Sequence, residues 1–191
     1  MRKQSGFTLL ELLITMVVGA VLMAIAIPNF RITIQNNRLS TQLNTLLSGM
    51  IYSRSEAIKR NTDVVICASS DQQTCSGSIT GWTNGWIVYY TPPPSSATSA
   101  IPAPTSAEII RQYPALTGSN TLKSDSNAAS GQIVFQSSGM TTMTKDTQFT
   151  LCDPRKANYA RVTMVSLTGR AQVLPAGTTS WGTTTLTVSC P

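Results

Sequence analysis

Residues Phe7 to Ile27 form an apolar run broken only by Thr8, Glu11, Thr15 and Gly19. As a helix its 21 residues span about 31 Å at roughly 1.5 Å each, which matches a bilayer hydrocarbon core of about 30 Å. Arg2 and Lys3 precede the run and place its start on the cytoplasmic side. An ordinary secretory signal has a shorter apolar core and a small-residue cleavage site after it. Here the run continues as AIAIPNFR into a second helical pattern.

Glu11 is the residue that a plain anchor does not explain. A carboxylate in an apolar span costs roughly 2.5–3.5 kcal/mol on insertion scales and normally has a partner and a function. No cation lies within the span. If the chain is cut between Gly6 and Phe7, the new α-amino group on Phe7 becomes a positive charge that Glu11 can pair with, in its own chain or in a neighbour.

Beyond Pro28, Leu39, Leu43, Leu46, Leu47, Met50, Ile51, Arg54 and Ile58 recur at three- and four-residue spacing. This amphipathic stripe predicts that one helix runs from about Phe7 to Arg60, bent near Pro28, with its second half covering a sheet. Glu56 and Arg60 stand at i, i+4 and support the helix, which Asn61 and Thr62 end.

From Thr62 the period shifts towards two. Strands are expected at Asp63–Ala68, Gly85–Thr91, Glu108–Tyr113, Gln132–Gln136, Thr147–Cys152, Ala160–Ser166, Ala171–Leu174 and Thr184–Ser189. The fold class is therefore α+β: a long N-terminal helix, its first half transmembrane, packed on an antiparallel sheet or small sandwich. The expected divisions are 1–6 as a leader, 7–28 as the membrane half of the helix, 29–61 as its amphipathic half, and 62–191 as the β-rich domain. The Pro/Ser-rich stretch 92–107 cannot supply a ladder and is expected as a loop.

The 191-residue chain carries a formal charge of +6, with 12% charged residues and no histidine. The missing histidine removes histidine-based triads and metal sites. The carboxylates beyond the helix stand singly, so neither an enzyme site nor a cofactor is implied. Four cysteines, Cys67, Cys75, Cys152 and Cys190, lack the short spacing of a zinc ribbon. After an export segment they read as two disulfides. Three pairings are possible; Cys67–Cys75 with Cys152–Cys190 is preferred, because the first closes a short loop and the second pins the C-terminus.

The segment Arg2-Lys3-Gln4-Ser5-Gly6 followed by Phe7-Thr8-Leu9-Leu10-Glu11 resembles the class III signal of type IV pilins and type II secretion pseudopilins. The resemblance implies cleavage by a prepilin peptidase after Gly6 and N-methylation of Phe7. It also implies that Glu11 neutralises the N-terminus of an adjacent subunit, and that Pro28 is the family's helix-kinking proline. Later come Gly81-Trp82-Thr83-Asn84-Gly85-Trp86-Ile87-Val88-Tyr89, Phe135-Gln136-Ser137-Ser138-Gly139, Phe149-Thr150-Leu151-Cys152-Asp153 and Val165-Ser166-Leu167-Thr168-Gly169-Arg170. That series resembles the GspH/FimT (FimU-like) group of minor pilins and pseudopilins. A type IV pilin-like fold is implied, and a minor subunit that primes or caps a type IV pilus. Its partners would be other major and minor pilins, the peptidase and inner-membrane lipid. The C-terminal domain would face the periplasm before entering a pilus or pseudopilus.

Two alternatives accompany this expectation. One is a minor pseudopilin of type II secretion. The other is a pilus-associated protein that binds double-stranded DNA for uptake in natural transformation. Removing the first six residues takes away Arg2 and Lys3 and lowers the charge by two, from +6 to +4. The remaining excess concentrates near the C-terminus in Arg155, Lys156, Arg161 and Arg170, against Asp153 alone. Such a patch would bind phosphates without sequence preference, with Tyr159 and Trp181 as stacking platforms. The DNA-binding branch of the group has a Gly-Arg-x-Arg signature. Here Gly169-Arg170-Ala171-Gln172 keeps the first arginine and replaces the second by Gln172. Thr168-Gly169-Arg170 also reads as a hairpin turn.

Overall fold

The structure, a computed structural model, describes residues 6–91, 103–105, 108–128, 131–175, 178, 180–182 and 184–190. Apart from 103–105, the stretch 92–107 expected as a loop lies outside them, as do residues 1–5 of the expected leader 1–6. The chain divides into two compact units, Met1–Arg38 and Leu39–Pro191.

One helix, α1 (Leu9–Arg60), contains 52 residues. Thr8 caps its start: the Glu11 amide donates to Thr8 Oγ1 at 3.2 Å. Pro28 stands inside the helix without ending it. Proline supplies no N–H to the carbonyl four residues back, so one rung of the ladder is lost at Ala24. Asn29 Nδ2 donates to the Ile25 carbonyl at 3.1 Å beside that gap. In the first unit the apolar side chains are uncovered: Phe7 and Leu9 are each 84% exposed, and Leu12, Val17, Leu22 and Ile27 are all more than half exposed. This stretch is long and apolar enough to cross a membrane.

In the second unit α1 buries Leu39, Leu43, Leu46, Gly49, Met50, Ser53, Glu56 and Ala57. The expected stripe holds as far as Met50 and then departs. Ile51 and Ile58 are 54% and 52% exposed. The buried positions next to them are the small residues Gly49, Ser53 and Ala57. At Gly49 close approach explains the small residue. A Cβ at Gly49 would lie 3.2 Å from Trp86 Nε1 and 3.3 Å from the Tyr113 ring, leaving no room for a large side chain. The helix ends as expected: Asn61 takes a left-handed φ of 51°, and Thr62 N donates to the Ala57 carbonyl at 3.3 Å.

The strands are β1 (Val64–Ala68), β2 (Trp86–Tyr90), β3 (Ile109–Tyr113), β4 (Thr121–Ser124), β5 (Gln132–Phe135), β6 (Thr147–Cys152), β7 (Arg161–Val165), β8 (Ala171–Val173), β9 (Ser180–Trp181) and β10 (Thr184–Thr185). They form two four-stranded antiparallel sheets, ordered β3-β2-β1-β5 and β4-β6-β7-β8, and a β10-β9 hairpin. Seven of the eight expected strands appear within a residue or two of their limits. The eighth, Thr184–Ser189, pairs only over Thr184–Thr185. Its continuation is held by single contacts instead: Thr187 N donates to Gln148 Oε1, and Gln148 Nε2 donates to the Thr187 carbonyl. β4 was not expected. Its sequence Thr-Leu-Lys-Ser has one apolar residue, Leu122, and that one enters the core.

The main core joins both sheets to α1. It contains Leu43, Leu46 and Met50 of the helix, Val64, Ile66, Trp86 and Phe135 of one sheet, and Phe149, Leu151 and Val165 of the other. Trp82, in a 3-10 turn at Gly81–Asn84, meets Phe149 edge to face with centroids 4.9 Å apart. Two similar turns lock the sheets together. Gln136 N donates to the Met140 carbonyl and Ser166 N to the Arg170 carbonyl, with Gly139 and Gly169 at φ 80° and 76°. The turns abut, and Arg54 Nε donates to the Gly139 carbonyl at 3.0 Å.

Candidate functional site

The N-terminal site is built on the first turn of α1. Gly6 is exposed and a Cβ there would meet nothing within 4 Å. Phe7 follows, also exposed, and then the Thr8 cap. Glu11 lies in the first turn, exposed, in the positive end of the helix dipole. Thr8-Leu9-Leu10-Glu11 is a T-x-x-E capping pattern, which the assembly reading of Glu11 overlooked. Thr15, one turn after Glu11, donates to the Leu12 carbonyl at 2.9 Å. Its hydroxyl is therefore satisfied within the helix.

The four cysteines pair as Cys67–Cys75 and Cys152–Cys190, the preferred arrangement. The first closes a loop organised by Asp71. Asp71 Oδ1 accepts from Gln73 N and Thr74 N, both at 2.8 Å, and Oδ2 accepts from Thr74 Oγ1 at 2.7 Å. These bonds hold the Asp71 carboxyl well below its ordinary range. The second disulfide ties the end of β6 to the C-terminal segment.

The basic residues near the C-terminus do not form one patch. Arg155 and Lys156 lie in the β6–β7 connection. Arg155 bonds to the buried carboxylate of Asp153 and stacks over the Tyr159 ring at 4.0 Å. Arg161 opens β7 and is only partly exposed. Arg170 is exposed on the β7–β8 turn, at the other end of that strand. A five-residue strand spans roughly 17 Å. Trp181 is not a free platform either: its Nε1 donates to Asp146 Oδ2 at 3.0 Å, and it packs against Val162, Met164, Leu174 and Leu186. Spacing along the chain concentrated these charges; the run of β7 separates them.

A long apolar helix that begins with a capped carboxylate and carries a disulfide-bonded β head defines a pilin-type subunit. A family model described as "Type II transport protein GspH" matches residues 42–169, and one described as "Prokaryotic N-terminal methylation motif" matches residues 1–27. The chain belongs to the GspH family, whose members are structural pilin-like subunits rather than known enzymes. Among solved structures it resembles the type IV minor pilin FimU of Pseudomonas aeruginosa, with TM-score 0.55 and 21% identity over 75% of this chain and 93% of that one. A second crystal form of FimU gives 0.52 and 22%, over 73% and 95%. The minor pseudopilin EpsH of Vibrio cholerae gives 0.46 and 11%, over 74% and 99%. At these identities the likeness to FimU is one of fold. No curated protein matches the chain significantly.

Proposed function

We propose that the chain is a minor pilin that primes or caps a type IV pilus as a structural subunit. The observation that carries this reading is the uncovered apolar surface of the first part of α1, with one carboxylate, Glu11, in its first turn. A surface of this kind needs lipid first and neighbouring helices afterwards. Before assembly the apolar stretch spans the inner membrane, with residues 62–191 in the oxidising periplasm, where both disulfides form. A prepilin peptidase cuts between Gly6 and Phe7 and methylates the Phe7 amine. Glu11 then meets the positive N-terminus of an adjacent pilin, which offsets the cost of a carboxylate in the apolar core of the filament.

Mass spectrometry of the N-terminus tests the first step. A methylated Phe7 is expected, and an intact Met1 overturns the reading. Glu11→Ala should leave the head folded and abolish incorporation into filaments. Normal incorporation of that variant removes the assembly role of Glu11.

The description of the matching family supports a second reading, a minor pseudopilin of type II secretion. Deleting the gene separates the two. Loss of surface pili with secretion intact supports the pilus reading, and the reverse supports the pseudopilus.

A further inference from the structure

We infer that a notch centred on Arg161 is a carboxylate-binding site whose occupant is an acidic side chain of a neighbouring subunit. The inference rests on the reading of the chain as a filament subunit. Arg161 is partly buried, and its cross-strand neighbour on β6 is the apolar Leu151. Arg54, Arg60, Arg111 and Arg155 have partners, in the Gly139 carbonyl, Glu56, the Tyr52 ring and Asp153, and Arg170 is exposed to solvent. Among the described residues no ion pair or hydrogen bond engages the Arg161 guanidinium. A cation drawn out of water in this way gains most from an anion brought to it.

The surroundings define the anion. Arg161 lines a notch of about 290 Å³. Ser40 and Asn44 of α1 form one lip, four residues apart and so on one face of the helix. Both are exposed, and among the described residues neither side chain has a hydrogen-bond partner. Leu43, Val173 and Leu174 supply apolar walls. A guanidinium fork, a hydroxyl and an amide line the notch and match the hydrogen-bonding needs of a group of two oxygens, and the apolar walls suit a methylene stem. Glutamate has that shape. The notch is large enough to take a side chain. A nucleic-acid backbone needs a row of cations, and Arg170 lies at the opposite end of β7.

The test uses the full chain in detergent micelles, labelled with ¹⁵N-arginine, with the Nε–Hε resonances followed by NMR. The probes are N-acetylglutamate amide, N-acetylglutamine amide and inorganic phosphate. Saturable movement of the Arg161 resonance is expected with the glutamate probe, none with the glutamine probe, and at least tenfold weaker binding of phosphate. The Arg170 resonance should not move. Equal response to glutamine, no response at all, or tighter binding of phosphate overturns the proposal. In cells, Arg161→Gln should retain its melting temperature and lower incorporation into filaments at least fivefold; unchanged incorporation also overturns it. The titration needs no filament, so its failure is distinct from failure of the subunit reading, which Glu11→Ala probes.

Discussion

Arg155 is bound within its own turn to Asp153: Nη2 and Nε lie 2.5 Å and 2.7 Å from the same carboxylate oxygen, Oδ2. The Asp153 side chain is 1% exposed, so the arginine neutralises a buried charge rather than facing solvent. Removing one member of such a pair leaves the other charge without compensation.

DNA binding measured on the full chain in detergent should therefore be weak. Its affinity should fall with salt at a log–log slope of about 1–2, against roughly 3.6 for four cooperating phosphate contacts. Arg155→Gln should leave that slope unchanged while lowering unfolding stability by about 2 kcal/mol. A slope near four that drops in Arg155→Gln restores the four residues as a single DNA site.

Gly169 and Gly182 both have left-handed backbones, at φ 76° and 55°, in different surroundings. A Cβ on Gly169 would run into the Gly139 carbonyl, whereas one on Gly182 meets nothing within 4 Å. Gly182→Ala should cost about 1 kcal/mol, the left-handed penalty alone. Gly169→Ala should cost at least about 3 kcal/mol, because the joined turns must part as well. Thermal melts of the two variants decide this, and equal losses contradict it.

Acid should destabilise the head through Glu56 and Asp71. Glu56 accepts a hydrogen bond from Arg60 at 2.6 Å, and that bond, aided by Lys59, lowers its pKa below the ordinary 4.5. A lowered folded pKa means that the stabilisation is complete above the unfolded value and is lost as pH falls through the folded one. Melting temperature should hold down to about pH 4.5 and then decline, less steeply in Glu56→Gln.

The alkaline limb has the opposite origin. Burial pushes the Tyr89 phenol up from 10.0 to about 12. The folded state keeps a proton that the unfolded state releases, so stability is full below pH 10.0 and falls as pH rises towards about 12. Tyr89→Phe should remove that part of the decline, read by denaturant melts at pH 9 and about pH 11.5.

The disulfides close loops of unequal length, with sequence separations of 8 and 38. The chain-entropy relation assigns about 2.5 kcal/mol to the first and about 4 kcal/mol to the second. The double variant Cys152→Ser/Cys190→Ser should melt below Cys67→Ser/Cys75→Ser. The reverse order would mean that burial of Cys67 in the β1 core outweighs loop length.

What the sequence determines by itself is local. The apolar span, the T-x-x-E start, the Asn61 stop, the Glu56–Arg60 pair, the Gly169 turn and strand Thr147–Cys152 each follow from residue types within a few positions of one another. The cysteine pairing was legible because one loop was short. Tertiary structure alone decided the rest. Hydrophobicity favoured Ile51 and Ile58, but the buried face carries Gly49, Ser53 and Ala57, and at Gly49 Trp86 and Tyr113 come so close to α1 that a large side chain has no room. β4 has one apolar residue and is a strand because β6 offers it a ladder. Thr184–Ser189 has strand composition and loses its partner after Thr185. The basic residues follow the same rule: proximity along the chain put Arg161 and Arg170 in one patch, and β7 holds them apart. Periodicity reports which side chains leave water. It carries no information on how near the facing backbone comes, or on which strand supplies the missing hydrogen bonds, because both depend on residues distant in the chain.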